Sequence, residues 1–227
     1  MQIKLIRHGE SLANIRAADP SRTGDHAVAP SPRGHEQARA AGGLLGAEFL
    51  TSSLVYSSPY RRTRETLAGL LEGAGVDGDT VRVFEDPRLR EVDPGYVDRD
   101  TQLELRRTHG WFYYRFHGGE SPADCYDRTC TFLESLMRQV ARKRAERVAV
   151  VTHGLAIRCF VMRFLHLTVE QFDSLGNPFN CDIVTIAHKE LLAAPVFTSG
   201  KWGVEGIRFR EPETPADGGA PGVTPSP

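Results

Sequence analysis

Two short apolar stretches end in the same dipeptide: Ile3–Ile6 runs into Arg7-His8-Gly9-Glu10, and Val148–Val151 into Thr152-His153-Gly154. A histidine at the end of a strand, ahead of a glycine that lets backbone approach a ligand, can serve as nucleophile, metal ligand, general base or hydrogen-bonding residue. Parallel strands of a wound α/β sheet open their carboxyl ends onto one crevice, so two such histidines are placed to meet there. Their company narrows the roles. Arg7 adjoins His8, Ser11 and Asn14 follow on the next loop, and a Ser58-Pro59 pair leads a segment bearing Arg61, Arg62 and Arg64. Guanidinium forks, backbone amides and helix N-termini are what a tetrahedral dianion requires. Metal ligation is disfavoured. His35-Glu36 lacks the second histidine of H-E-x-x-H, the other histidines are scattered, and Cys125, Cys130, Cys159 and Cys181 have no zinc-type spacing.

The elements that must hold these residues are legible in the pattern around them. With 227 residues and 40% hydrophobic side chains, one sizeable α/β domain is expected over residues 1–210. After a polar loop from Glu10 to Pro30, Ser31 and Pro32 mark the start of a helix carrying Ala38, Ala41, Leu45 and Phe49 inward. Leu54–Ser57 reads as a strand, and Ser58-Pro59 as the same cap signal for a helix with Tyr60, Thr63, Leu67, Leu70 and Leu71 on one face. A third strand is expected at Val81–Phe84, followed by a loop from Glu85 to Asp98. An insert at residues 98–120 is expected to lie as a helical cover over the site. It includes Trp111-Phe112-Tyr113-Tyr114-Arg115-Phe116, aromatics whose commoner use is packing.

Ser121-Pro122-Ala123-Asp124 forms a capping box before a long helix, and a helix follows Gly154 to near His166. Thr168 caps a short helix, and Cys181–His188 alternates as a strand. Residues 211–227, rich in Pro, Gly, Ala and acid, are expected to form a disordered tail.

Charge and composition exclude several classes. The 28 Lys and Arg, mostly Arg, against 29 Asp and Glu give neither the basic field of a nucleic-acid binder nor a polybasic membrane stretch. Lys4 and Arg7 interrupt any signal-peptide core, and no run of about 18 apolar residues occurs. A reduced, cytoplasmic chain acting on a small charged ligand fits best, with neither nucleic acid nor membrane as partner and a homodimer left open.

These residues resemble the histidine phosphatase superfamily, also called the phosphoglycerate mutase-like fold. Its hallmark is matched by Arg7-His8-Gly9-Glu10 with Asn14 six residues after the histidine, and its Ser-Pro-led helix by Ser58-Pro59-Tyr60-Arg61-Arg62-Thr63. Its acid segment is matched by Leu89-Arg90-Glu91-Val92-Asp93-Pro94-Gly95, its second His-Gly by His153-Gly154, and a Gly-Glu-Ser by Gly119-Glu120-Ser121, with Arg128 further along. Among the three arginines after Ser58, periodicity does not choose; the family pattern selects Arg62. Pro94 stands where many members carry an aromatic, and Pro30-Ser31 replaces a Leu-Thr.

The resemblance implies a three-layer α/β/α sandwich with a mostly parallel central sheet. It implies His8 as covalent nucleophile, with Arg7, Arg62 and His153 on the phosphoryl oxygens, and Glu91 as acid and base, Asp93 being the rival carboxylate. Asn14, Ser11 and Gly154 would line the substrate, and neither metal nor cofactor would be needed. The expected reaction is hydrolysis of a small phosphorylated metabolite, closest to a branch of broad-range acid phosphatases and mutase-like proteins. A mutase or sugar bisphosphatase, and a non-catalytic phospholigand-binding module, are the alternatives.

Overall fold

The computed structural model describes residues 1–95 and 99–210. β1 (Gln2–Arg7) leads through a long loop with the single turn α1 (Pro20–Thr23) to α2 (Pro32–Leu45) and α3 (Ala47–Ser52). β2 (Leu54–Ser57) and α4 (Arg61–Gly73) form the next unit, followed by β3 (Val83–Glu85), α5 (Arg99–His109) and the long α6 (Pro122–Lys143). Then come β4 (Arg147–Thr152), α7 (Gly154–Leu165), α8 (Val169–Ser174), β5 (Ile183–His188), β6 (Phe197–Ser199) and β7 (Trp202–Glu205). The seven strands make one sheet in the order β3-β2-β4-β1-β5-β7-β6. β1 to β4 run parallel; β5, β7 and β6 extend the sheet antiparallel beyond β1, so it is mixed.

Strand alternation builds the two hydrophobic layers. Ile3, Leu5, Val148 and Val150 face one side with buried residues of α6 and α7, whereas Ile6, Val55, Ala149 and Val151 face the other with those of α2 and α4. Strands buried on both faces read as near-continuous apolar runs, as β1 and β4 do. Register then places the chemistry. Arg7 stands opposite Thr152 in the β1–β4 ladder, so His8 and His153 leave the sheet side by side.

Several boundaries differ from the sequence expectation, each for a local reason. The first helix stops at Leu45 because Gly46 takes φ 78°, and Phe49 is buried from the separate α3. The helix after Ser58 begins at Arg61 with Tyr60 at its N-cap position, because the Ser58 hydroxyl is engaged by the His153 ring. β3 starts two residues later than expected, and the strand foreseen from Cys181 begins at Ile183. Among the described residues of the insert only α5 is helical; Trp111–Tyr113 forms a turn and Tyr114–Phe116 runs on without regular structure, with Phe112 buried against Phe172 and Tyr113 exposed. The long loop holds a 3-10 turn at Asp25–Ala27, and β6 and β7 had no marked signal. The expected caps on α2, α6 and α8 are made by Ser31, Ser121 and Thr168. The tail at 211–227 and residues 96–98 of the loop and insert lie outside the described residues.

Gly9 seats the first histidine loop directly on α2. A Cβ there would lie 2.4 Å from Gly34 O, and one on Gly34 would lie 2.1 Å from Glu10 O. The two backbones touch with no room for a side chain on either.

Candidate active site

His8 and His153 are almost wholly buried, with ring centroids 5.1 Å apart in an edge-to-face arrangement. His8 Nδ1 lies 2.8 Å from Gly9 O. A carbonyl oxygen only accepts, so Nδ1 carries the hydrogen and the neutral ring presents its Nε2 lone pair. Burial, then the charges of Arg62 and Arg7, hold the His8 imidazole well below its ordinary pKa, and the ring stays neutral. His153 is buried beside Arg62 and is lowered in the same way. Its Nε2 meets Ser58 Oγ at 2.9 Å, while its Nδ1 is buried without a partner among the described residues. Tyr60 packs edge-on against His153 at 5.2 Å, and its ring lies under the Arg62 guanidinium at 5.0 Å.

The arginines are aimed by partners from remote loops. Arg62, 4% exposed, donates from Nη1 to Asp25 O and Oδ1 at 2.7 and 2.9 Å and from Nη2 to Asp25 Oδ2 at 3.0 Å. Three of its five N–H donors are thereby used, and the Nε edge with the second Nη2 hydrogen forms a remaining fork suited to two phosphoryl oxygens. Arg7 donates from Nη1 to Pro178 O at 2.6 Å, and among the described residues its Nε is buried without a partner. Asn180 donates to His8 O at 3.0 Å and to Asn14 Oδ1 at 3.3 Å. Ser11 closes a turn with Asn14, donating from its backbone N–H to Asn14 Oδ1 at 3.0 Å. The Gly9 N–H donates to Thr66 Oγ1 at 2.9 Å, tying the histidine loop to α4. Gly154 opens α7, whose next residue, Leu155, donates its N–H to Glu91 Oε2 at 3.3 Å.

The structure separates the two carboxylates. Glu91 faces the start of α7 and acts electrostatically on Arg7, whereas Asp93 is exposed and its Oδ1 accepts the Gly95 N–H at 2.9 Å, closing a turn. Arg128 holds the segment just ahead of Glu91. Its Nη1 donates to Arg88 O and Arg90 O, both at 2.7 Å, and its Nε and Nη2 reach the two Glu120 oxygens at 3.3 and 3.1 Å. Arg90 also pairs with Glu120, and the Thr152 hydroxyl donates to Leu89 O at 2.7 Å. Arg128→Ala leaves those carbonyls and much of Glu120 unmatched, at a cost of roughly 3 kcal/mol, near the lower bound for a broken buried pair. The expected result is a lowered Tm together with a fall in kcat larger than any change in KM, because the carboxylate loses its seat. An unaltered Tm and kcat would show that the clamp does not hold the loop.

The lowered histidines give a pH signature. Unfolded histidine protonates near pH 6.5, and the folded rings do so only further down. Below about pH 6.5 the unfolded chain therefore binds protons that the folded chain does not, and stability falls as pH falls. Thermal melts from about pH 7.5 to 5.5 should show a declining Tm, and His8→Asn should shallow that slope. A slope unchanged in the variant contradicts the assignment.

Among the described residues, no group of three or more His, Cys, Asp or Glu side chains is arranged to hold a metal ion. No helix among them is long and apolar enough to cross a membrane.

A family model described as the histidine phosphatase superfamily (branch 1) matches residues 3–192. The chain belongs to that superfamily. A phosphoglycerate mutase-like protein of Arabidopsis thaliana is 37% identical over 202 residues, covering 80% of this chain and 72% of that protein. The broad-range acid phosphatase DET1 of Saccharomyces cerevisiae is 27% identical over 281 residues, covering 81% and 84%. Among solved structures, a mycobacterial glucosyl-3-phosphoglycerate phosphatase complexed with VO3 shares the fold at a TM-score of 0.65 and 24% identity, over 92% of this chain and 96% of that one. A putative alpha-ribazole-5'-P phosphatase from Escherichia coli does so at 0.66 and 18%, over 91% and 95%.

Sequence reasoning about this histidine phosphatase superfamily member missed four neighbours of the site. Asp25, Ser58 as a histidine partner, Tyr60 over the second imidazole and Asn180 on the His8 carbonyl are all contacts across long sequence separations. Ser58 carried a local signal, but that signal pointed to a cap, and Tyr60 was legible only as part of a helix face.

Proposed function

We propose that the chain is a metal-independent phosphomonoester hydrolase acting on a small phosphorylated metabolite through a phosphohistidine at His8 Nε2. The observation that carries this reading is the His8 Nδ1–H bond to Gly9 O, which leaves a neutral ring with its other lone pair available among arginines. In the first step Nε2 attacks phosphorus, the bond to the leaving oxygen breaks, and Glu91 gives that oxygen a proton. In the second, Glu91 takes a proton from water, the water oxygen attacks phosphorus, and the P–N bond breaks to release phosphate and neutral His8. Arg7, the free fork of Arg62, His153 Nδ1–H and Asn14 hold the equatorial oxygens as charge builds on them. With the Ser58 hydroxyl donating to Nε2, the His153 Nδ1–H is a donor that no atom of the described residues receives. Ser11 and Gly154 shape the rim and let backbone come close. Four free cysteines suit a reduced cytoplasmic setting.

The test is rapid quenching during turnover of a phosphomonoester panel at about pH 5 to 7, near the ordinary histidine range. An acid-labile, base-stable phosphoenzyme that decays to inorganic phosphate is the expected result. Transfer of the phosphoryl group to a second sugar instead of water would assign a mutase, and turnover with no trapped intermediate would overturn the proposal.

A further inference from the structure

Away from the histidine site, an open cavity of about 530 Å³ lies between the edge strand β3, its neighbour β2 and α6. It shares no lining residue with the phosphate cradle. Tyr56 and Phe84 stand opposite each other in the β2–β3 ladder with rings 5.3 Å apart, and Tyr56 meets Phe132 of α6 edge-on at 5.4 Å. Together with Leu136 these rings give the cavity an apolar floor.

One polar group of that floor is unfinished. Tyr56 is only 7% exposed, so its ring is fixed, yet its hydroxyl bonds to no described residue. The charged groups within electrostatic reach of the phenol are Asp86, Arg142 and Arg88, all of which line the cavity. The hydroxyl is thus aimed into the opening, where a ligand can complete it.

The walls carry more positive charge than their acids match. Asp86 is taken up by Arg88, whose Nε and Nη2 donate to it at 2.9 and 2.6 Å, and Glu85 lies 3.9 Å from Arg64. Arg138 and Arg142 pair with no carboxylate of the described residues; they donate to neutral oxygens, Ser135 Oγ at 3.2 Å and Gln139 Oε1 at 2.8 Å. Arg82 and Lys143, equally without a carboxylate among the described residues, stand over the Phe84 ring at 4.8 and 5.7 Å. Like charges four residues apart on a helix repel, and an anion held between Arg138 and Arg142 removes that repulsion.

Size and chemistry together narrow the occupant. Guanidinium forks one helical turn apart can close on a single phosphate, but a bare anion fills little of a cavity whose volume falls in the range of small-molecule sites. The remainder calls for a flat apolar body with polar edges, to lie on the aromatic floor and meet the Tyr56 hydroxyl, Ser135 and the Gln139 amide. A base joined to a sugar phosphate supplies all of these.

We propose that this cavity is a binding site for a nucleoside 5′-monophosphate, with the phosphate on Arg138 and Arg142 and the base against the aromatic floor beside the Tyr56 hydroxyl. The site stands apart from the hydrolase reading and does not depend on it.

The test is calorimetric titration, at fixed ionic strength, of the unaltered chain and of an Arg138→Gln, Arg142→Gln variant. The probes are the 5′-methylenephosphonate analogues of adenosine, guanosine, cytidine and uridine, whose P–C bond gives a phosphatase nothing to hydrolyse. At least one should bind the unaltered chain about tenfold or more tighter than its parent nucleoside and than methylphosphonate. In the variant that binding should weaken by about tenfold or more. Both arginines are exposed, so their exchange spares the core, and any binding in the histidine cradle is the part the exchange leaves unchanged. Absence of binding by all four probes overturns the proposal. Binding that the variant fully retains also overturns it, since the ligand then sits elsewhere. Equal binding of the nucleoside or of methylphosphonate overturns it as well, the first because the arginines contribute nothing, the second because the floor does not.

Discussion

On the proposed mechanism, His8→Ala should reduce phosphomonoester hydrolysis to background, a loss of roughly ten-thousand-fold or more, and leave no acid-labile phosphoenzyme to trap. The size follows from the surroundings. The nearest other imidazole is His153, and with the Ser58 hydroxyl donating to its Nε2 that lone pair is already engaged. Removing His8 should therefore remove the proposed covalent route, while Arg7 and Arg62 should keep their places for phosphate because their anchors, Pro178 O and Asp25, are untouched. His153→Ala should lose less, about a hundredfold, since it deletes one oxyanion donor and spares the nucleophile. Steady-state rates and quench-flow trapping on both variants measure this. An alanine variant at position 8 that still forms a phosphoenzyme would remove the assignment.

Glu91→Gln separates the two chemical steps. Hydrolysis of an alkyl phosphate, whose leaving oxygen needs a proton, should fall by about a hundred- to ten-thousand-fold, the span of general acid–base catalysis. 4-Nitrophenyl phosphate supplies a good leaving group, so its first step is spared and the phosphoenzyme accumulates for want of a base to activate water. Glutamine keeps one acceptor oxygen in place of two, so it retains either the Val92 or the Leu155 N–H bond and loses the other, and a Tm measured beside the kinetics shows whether the loop stays in place. Asp93→Asn serves as the comparison and should change turnover little, because that carboxylate closes an exposed turn. Equal loss on both substrates, with no accumulation, would take the proton-transfer role away from Glu91.

What the sequence made legible is what local pattern encodes. The strand-to-histidine endings, the Ser31, Ser121 and Thr168 caps and the segment order each depend on residues a few positions apart, and each is present. Ser58-Pro59 shows where that logic stops: the residues match a cap, yet the hydroxyl is taken by a histidine 95 positions away. Asp25 lay in a polar loop with no feature to link it to Arg62, and the bond exists because the fold brings the 3-10 turn against α4. The aromatic run was visible as composition, but the guanidinium partners of Trp111 are Arg106 of α5 and Arg210, beyond β7. Pairings over such separations depend on topology before they depend on residue type.

The β1–β4 register has a kinetic consequence. β4 lies between β1 and β2, so an inner strand of the parallel group arrives late in the chain, and it leads directly into the second imidazole, His153. A collapsed chain with α2 and α4 packed, yet with β4 unpaired, would hold His8 without His153 and without the Thr152 hydroxyl bond to Leu89. Such long-range parallel pairing is the slow part of folding. Recovery of activity on refolding therefore reports the insertion of β4, and should lag behind the return of helical signal.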